Sequence, residues 1–271
     1  MDEVLTYAQT KSFLIALVWT QPRILAMFIA IPIFNRQIMP GMLRFALAAG
    51  FGALVAPSLM PAIEIAGFGP VEVILLLAKE AFVGFVLGYL IAIPFWAFEA
   101  VGFFIDNQRG ASISATLNPL TGNDASPLGI LFNQAFIVFF LVVGGFLLML
   151  DVLYDSYRLW NVLSWFPTLH QESVPLFLDQ LARLVHIAVL LSAPAIVAMF
   201  LAEIGLALIS RFVPQLDVFF LAMPIKSALA ILVLLVYLPT LFDYGFEYIR
   251  AQRDVLTFLQ DQWWSVGGGG R

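Results

Sequence analysis

Residues 71–98 read VEVILLLAKEAFVGFVLGYLIAIPFWAF, and this stretch decides the fold class. It is continuous in Val, Ile, Leu, Ala and Phe, and it exceeds the about 20 apolar residues that a helix needs to cross a bilayer. An outer-membrane barrel would instead alternate apolar and polar residues over strands of about ten residues, so a helix is predicted. Near its start stand Lys79 and Glu80. A charge at the bilayer centre costs about 2.5–3.5 kcal/mol on insertion scales, which directs both side chains toward protein or water. Being adjacent, they point about 100° apart on a helix and need not pair with each other. Two roles stand open for them: partnership with other helices, or a proton relay.

Working outward, the same apolar character returns over 13–34, 43–66, 128–150, 184–209 and 218–242. The chain is 62% hydrophobic and 11% charged, far from the about 45–50% apolar and about 25% charged of ordinary globular domains. The expected fold is all-α: a polytopic hydrophobic protein with kinked helices and helical hairpins, about six apolar segments and a C-terminal amphipathic helix within 243–264. Polar residues and prolines interrupt the segments. Pro22, Arg23 and Pro32 fall in the first, Arg44, Pro57, Pro61 and Glu64 in the second, Pro194 and Glu203 in the fifth, Pro224 and Lys226 in the sixth. Each internal proline removes a backbone hydrogen bond that neighbouring helices or side chains must replace. Glu203 has Lys226 or Arg211 as conceivable partners.

Two polar connections are expected. The wider, 99–127, collects Asp106, Asn107, Gln108, Arg109, Gly110, Ser112, Ser114, Thr116, Asn118, Pro119, Gly122 and Asn123, with turn formers at its end. The second, 151–179, carries Trp160, Trp165 and Phe166 and reads as an interfacial aromatic belt, with a ligand cage as the other possibility. Asp151 and Asp155 have i,i+4 spacing, which suits a solvated helix end or an acid/base pair.

Little else points to chemistry. Cysteine is absent, which removes disulfides, thiolate metal sites and thiol nucleophiles. The histidines are His170 and His186, and neither belongs to a His-Glu-x-x-His helix; no Gly-x-Ser-x-Gly elbow or phosphate-binding loop occurs. No catalytic, cofactor or metal residue is assigned. A net charge of −5 without a basic run argues against nucleic acid. Asp2 and Glu3 occupy the place of a positive n-region, so the first apolar segment is expected to be retained.

The stretch Arg211, Phe212, Val213, Pro214, Gln215, Leu216, Asp217, Val218 and Phe219, followed by Met223, Pro224, Ile225 and Lys226, resembles the late signature of the FliR/SctT family, the export-gate component of flagella and type III secretion injectisomes. Other positions fall in the family's order: Pro22 and Arg23, then Pro32 and Asn35, then Glu99, Gly102, Asp106, Gln108 and Gly110, and finally Asn118, Pro119, Gly122 and Ser126. Flagellar members tend to have asparagine where this chain has Asp217, and Asp-Pro where it has Asn118-Pro119. Both departures favour the injectisome branch.

The resemblance implies a non-enzymatic subunit, without cofactor, of the channel through which unfolded proteins leave the bacterial cytoplasm. Its implied partners are SctR-like and SctS-like gate subunits, a SctU-like switch protein, a SctV-like export protein, inner-rod or needle-base subunits, the exported chains and membrane lipid. The implied location is the inner membrane, partly lifted toward the periplasm, with 1–266 as one export-gate domain of two halves (about 1–127 and 128–266) and 267–271 as a flexible tail. A plug role falls on Gln108, Arg109, Gly110, Ala111, Ser112, Ser114, Asn118, Pro119 and Gly122. Assembly or buried-polar roles fall on Arg23, Asn35, Lys79, Glu80, Glu99, Asp106, Glu203, Arg211, Pro214, Gln215, Asp217, Pro224 and Lys226. The rival readings are a secondary transporter with broken helices around a small solute or ion, and an intramembrane enzyme.

Overall fold

A computed structural model describes residues 2–35, 38–65, 67–111, 126–165, 173–213 and 218–251. These form α1 (Asp2–Ala30), a 3-10 turn (Pro32–Phe34), α2 (Gly41–Ile65), α3 (Pro70–Arg109), α4 (Pro127–Val142), α5 (Gly145–Leu159), α6 (Ser173–Phe212) and α7 (Val218–Ala251), with no strand among the described residues. By length and composition five helices can cross a membrane, or six if α4 and α5 make one bent span, as the apolar segments predict. The bend of 75° in that pair has no proline. It lies at Gly144, whose φ of +86° is a left-handed conformation open to glycine, and which ends one helix and opens the next. Of the expected proline interruptions, Pro22, Pro57, Pro61, Pro194 and Pro224 lie inside helices that run on, as do Pro94 and Pro239, whereas α1 ends at Ala30, just ahead of Pro32.

Contacts group the chain into two units. Among the described residues, the first is drawn from 2–92, 144–177 and Ala251, the second from 93–143 and 178–250. In the first, Ala16, Trp19, Val55, Ala56, Leu59, Leu76 and Val162 form a buried cluster, and Phe28 stacks on Phe34 at 3.8 Å between ring centroids. Here α3 approaches α1 through a Gly-x-x-x-Gly step. A Cβ on Gly84 would lie 1.9 Å from the Arg23 carbonyl oxygen, and one on Gly88 2.7 Å from that of Met27. The small residues at i and i+4 thus let two backbones meet, the usual device for helix association in membranes. In the second unit the core is aromatic: Phe95, Phe98, Phe136 and Phe140 are buried, and Phe95 meets Phe136 edge-on at 4.9 Å.

The connection expected over 99–127 starts later, because α3 continues to Arg109 and Glu99, Asp106, Gln108 and Arg109 are helical. Polarity there does not mark a loop. Glu99 and Asp106 find partners on α4 and its cap, so the helix can carry them. The connection expected over 151–179 is likewise shorter, since α5 runs to Leu159 and α6 starts at Ser173. Met149, Val152, Leu153 and Ser156 are buried on one face of α5, a helical spacing that outweighs the intervening Asp151 and Asp155.

Candidate functional site: buried polar nodes and the base of the central connection

In the first unit Arg23 is fully buried one residue after Pro22. Its guanidinium grips Glu80 with both arms, Nε donating to Oε2 at 2.7 Å and Nη2 to Oε1 at 2.8 Å. Nη1 donates to Ser156 Oγ at 3.1 Å and Nη2 to the Trp160 carbonyl at 3.0 Å, while the Tyr157 ring covers the cation at 4.2 Å. Such a planar fork suits two-point recognition of a carboxylate, which Lys could not reproduce. Lys79 donates to the carbonyls of Asn161, Val162 and Ser164 at 3.1, 2.9 and 3.0 Å. It also meets Glu80 at 2.8 Å, although the two are neighbours in sequence. Two cations therefore face one carboxylate. The remaining positive charge is met by carbonyl oxygens of the turn that follows α5. Tyr157 Oη completes the node by donating to the Thr20 carbonyl at 2.8 Å, and Thr20 Oγ1 and Gln21 Nε2 donate to that of Leu17.

In the second unit α3 ends beside the start of α4. Gly110, with φ +83°, closes α3 in a Schellman arrangement: its N–H bonds the Asn107 carbonyl at 3.2 Å and the Ala111 N–H the Asp106 carbonyl at 3.0 Å. The buried Asp106 carboxylate receives Arg109 Nε on Oδ1 at 2.7 Å. Its Oδ2 receives Ser126 Oγ at 2.5 Å and the Leu128 N–H at 2.9 Å. Ser126 in turn caps α4 by accepting from the Gly129 N–H at 2.8 Å, with Pro127 at the first helical position. The helices touch here through backbone, for a Cβ on Gly102 would lie 2.4 Å from Gly129 N. One turn further back, Asn133 Nδ2 donates to Glu99 at 2.6 Å.

A further node links α3, α6 and α7. Glu203 Oε2 accepts from Lys226 Nζ at 3.1 Å and from Gln108 Nε2 at 3.5 Å. Lys226 is nearly buried, whereas the Glu203 side chain is 46% exposed in the single chain. Lys226, not Arg211, is thus the cation that meets Glu203; Arg211 is exposed at the last turn of α6. Asn35 and Pro224 are exposed as well. Gly110 and Ala111 are described and partly buried. Ser112, Ser114, Asn118, Pro119 and Gly122, together with Pro214, Gln215 and Asp217, lie outside the described residues.

Several participants escaped the sequence reading. Ser156, Tyr157 and the carbonyls after α5 carry no local signal. Asn133 does carry one, since with Gln134 it makes a pair of amides inside the apolar run from Leu128. So does the Gly84–Gly88 spacing, which is a known association pattern in apolar helices.

Comparison with known proteins places the chain in a family. Residues 14–251 match the model for bacterial export proteins, family 1. The chain is 40% identical over 241 residues to the Yop proteins translocation protein T of Yersinia pestis, covering 88% of this chain and 91% of that one. Identity to the surface presentation of antigens protein SpaR of Salmonella typhimurium is 34% over 215 residues, 79% of this chain and 80% of that protein. The flagellar biosynthetic protein FliR of Bacillus subtilis is 32% identical over 224 residues, 81% and 85% of the two chains. With apolar helices fit to span a membrane and a match along nearly its whole described length, this chain belongs to the FliR/SctT family of bacterial export proteins, on the type III secretion side of that family.

Proposed function

We propose that the chain is a non-enzymatic structural subunit of a type III secretion export gate in the bacterial inner membrane. In this reading it joins SctR-like and SctS-like subunits around a channel for unfolded proteins, beside SctU-like, SctV-like and inner-rod or needle-base components, partly lifted toward the periplasm. The observation that carries the proposal is the family match over residues 14–251, together with relatives named for secretion and for flagellar biosynthesis. Physical features support it. α3 and α6 have 40 residues each, about 60 Å of helix against a hydrocarbon core of about 30 Å. Both α6 and α7 carry runs of exposed large apolar side chains, such as Val197, Phe200, Leu201, Ile204 and Leu208 on α6, which lipid or sister subunits would cover.

The segment between Ala111 and Ser126 helps to close the pore, and Lys226 contributes to assembly. Co-expression of the tagged chain with SctR-like and SctS-like proteins, followed by native mass measurement, tests the reading. A discrete hetero-oligomer containing this chain is expected. A stable, partner-free protein that moves a small solute in liposomes would overturn it in favour of a transporter.

A further inference from the structure

A membrane chain that shelters a guanidinium normally supplies its counter-ion as well. Arg23 and Arg109 have theirs in Glu80 and Asp106. Arg44 has none: it is half-buried on α2, and its Nε and Nη2 are shut off from the surface without a hydrogen-bond acceptor among the described residues. Leaving buried donors unmet costs more than a made hydrogen bond contributes, most of all for a charged group. The surroundings add to the demand. Arg44 is the fourth residue of α2, and the first turn of that helix holds no acidic residue. A helix start is the positive end of the helix dipole and favours an anion. Guanidinium and helix start therefore call for the same thing, a negative group that the described residues do not provide.

Position identifies that group. α2 has 25 residues, about 37 Å of helix against a hydrocarbon core of about 30 Å, so a centred span sets its first turn at the headgroup layer. Its start is also its basic end: residues 31–46 carry Arg36 and Arg44 and no carboxylate, whereas 61–75 carry Glu64 and Glu72 and no cation. Basic ends of spans lie at the leaflet that holds anionic lipid. Next to Arg44 along the helix, Met42, Leu43 and Phe45 are apolar and exposed. We infer that Arg44 anchors a binding site for an anionic phospholipid, its planar fork taking the phosphodiester at two points while Met42, Leu43 and Phe45 lie along the acyl chains. Headgroup depth and a basic helix end favour the lipid over a carboxylate from a sister subunit, which neither feature calls for. The site goes beyond the export-gate reading and requires only that α2 stand in a membrane.

The test is native mass spectrometry of the purified full chain in neutral detergent, titrated with phosphatidylglycerol or with phosphatidylcholine. Wild type should retain phosphatidylglycerol in preference to phosphatidylcholine. Arg44→Gln should weaken that retention at least about tenfold, the change expected for losing a charge-assisted hydrogen bond. Arg44→Lys should weaken it less, because it keeps the charge and loses the fork. Excess inorganic phosphate should not displace the lipid. Equal retention by wild type and Arg44→Gln overturns the site. Displacement by inorganic phosphate also overturns it, and leaves a site for a free anion. A wild-type chain that holds no lipid, with an Arg44→Gln chain that no longer co-purifies with its partner subunits, overturns it in favour of a sister subunit's carboxylate. If Arg44→Gln does not accumulate, wild type decides alone. Reconstituted in phosphatidylcholine vesicles containing phosphatidylglycerol with a photoreactive group high on its acyl chain, it should be labelled at Met42, Leu43 or Phe45, and labelling confined to other helices overturns the proposal.

Discussion

The Arg23, Glu80 and Lys79 node of the first unit is closed, and the Glu203 and Lys226 pair of the second is half open. The side chains of Arg23, Glu80 and Lys79 are at most 3% exposed, and each charged group has a partner in the same unit. Around Lys226 the cation is sheltered but its carboxylate, Glu203, is 46% exposed on a helix whose neighbouring residues are apolar. The difference separates two uses of charge in a chain of this kind. A buried, fully bonded cluster fixes helix register within the subunit, because any slip would strand an ion in a medium that cannot solvate it. A half-open pair still has capacity for water or for a neighbouring chain.

The sharpest way to break the comparison is Arg23→Ala. Removing the guanidinium leaves Glu80 buried with Lys79 alone beside it and frees the Trp160 carbonyl and Ser156. Breaking a buried pair by deleting one partner costs about 3–5 kcal/mol. The purified subunit or complex in detergent should lose most of its thermal stability or fail to accumulate. A melting temperature within about 2 °C of wild type would show that the cluster does not hold the first unit together.

Gly84→Ala comes next, and it tests packing instead of charge. The added Cβ would fall 1.9 Å from the Arg23 carbonyl oxygen, which is backbone and cannot swing aside. Helices α1 and α3 must then separate, with an expected cost of about 1–3 kcal/mol. Gly205→Ala on α6 is the control, since nothing lies within 4 Å of its Cβ; alanine should there be neutral or stabilising in the isolated chain, by up to about 1 kcal/mol. Equal losses of melting temperature in the two variants would contradict the packing account.

The helices were legible in the sequence because apolar runs of this length leave few other options, and the family was legible in the residues from Arg211 to Lys226. The expected loop over 99–127 was misplaced at its start for a definite reason. Glu99, Asp106 and Arg109 look like loop residues by polarity, yet each is matched across or along the helix by Asn133, Ser126 or Asp106 itself. That pairing is three-dimensional, and no spacing along the chain announces it. The same holds for Lys79, whose three acceptors lie more than eighty residues away in the turn after α5. The bend at Gly144 was hidden differently, for prolines drew attention as breakers while the helices pass through every described internal one and turn instead at a glycine.

Lys226→Ala probes the open side of the comparison. Surface-type ion pairs contribute about 0.2–1 kcal/mol, and the exposure of Glu203 places this pair near that range. The isolated chain should therefore melt within a few degrees of wild type, while the yield of complex with SctR-like and SctS-like partners falls. Normal complex yield would remove Lys226 from assembly. The smallest effect belongs to Arg158→Ala, which removes the exposed pair with Asp155 in the first unit. The Arg158 side chain is 84% exposed and its partner sits one helical turn away at 3.1 Å, so the loss should be at most about 0.5 kcal/mol and fade further in high salt. This variant shares its unit with Arg23 and its degree of openness with Glu203. A large loss from Arg158→Ala would mean that membership of the first unit, and not burial, sets the value of a charge in this chain; a negligible one leaves burial as the deciding variable.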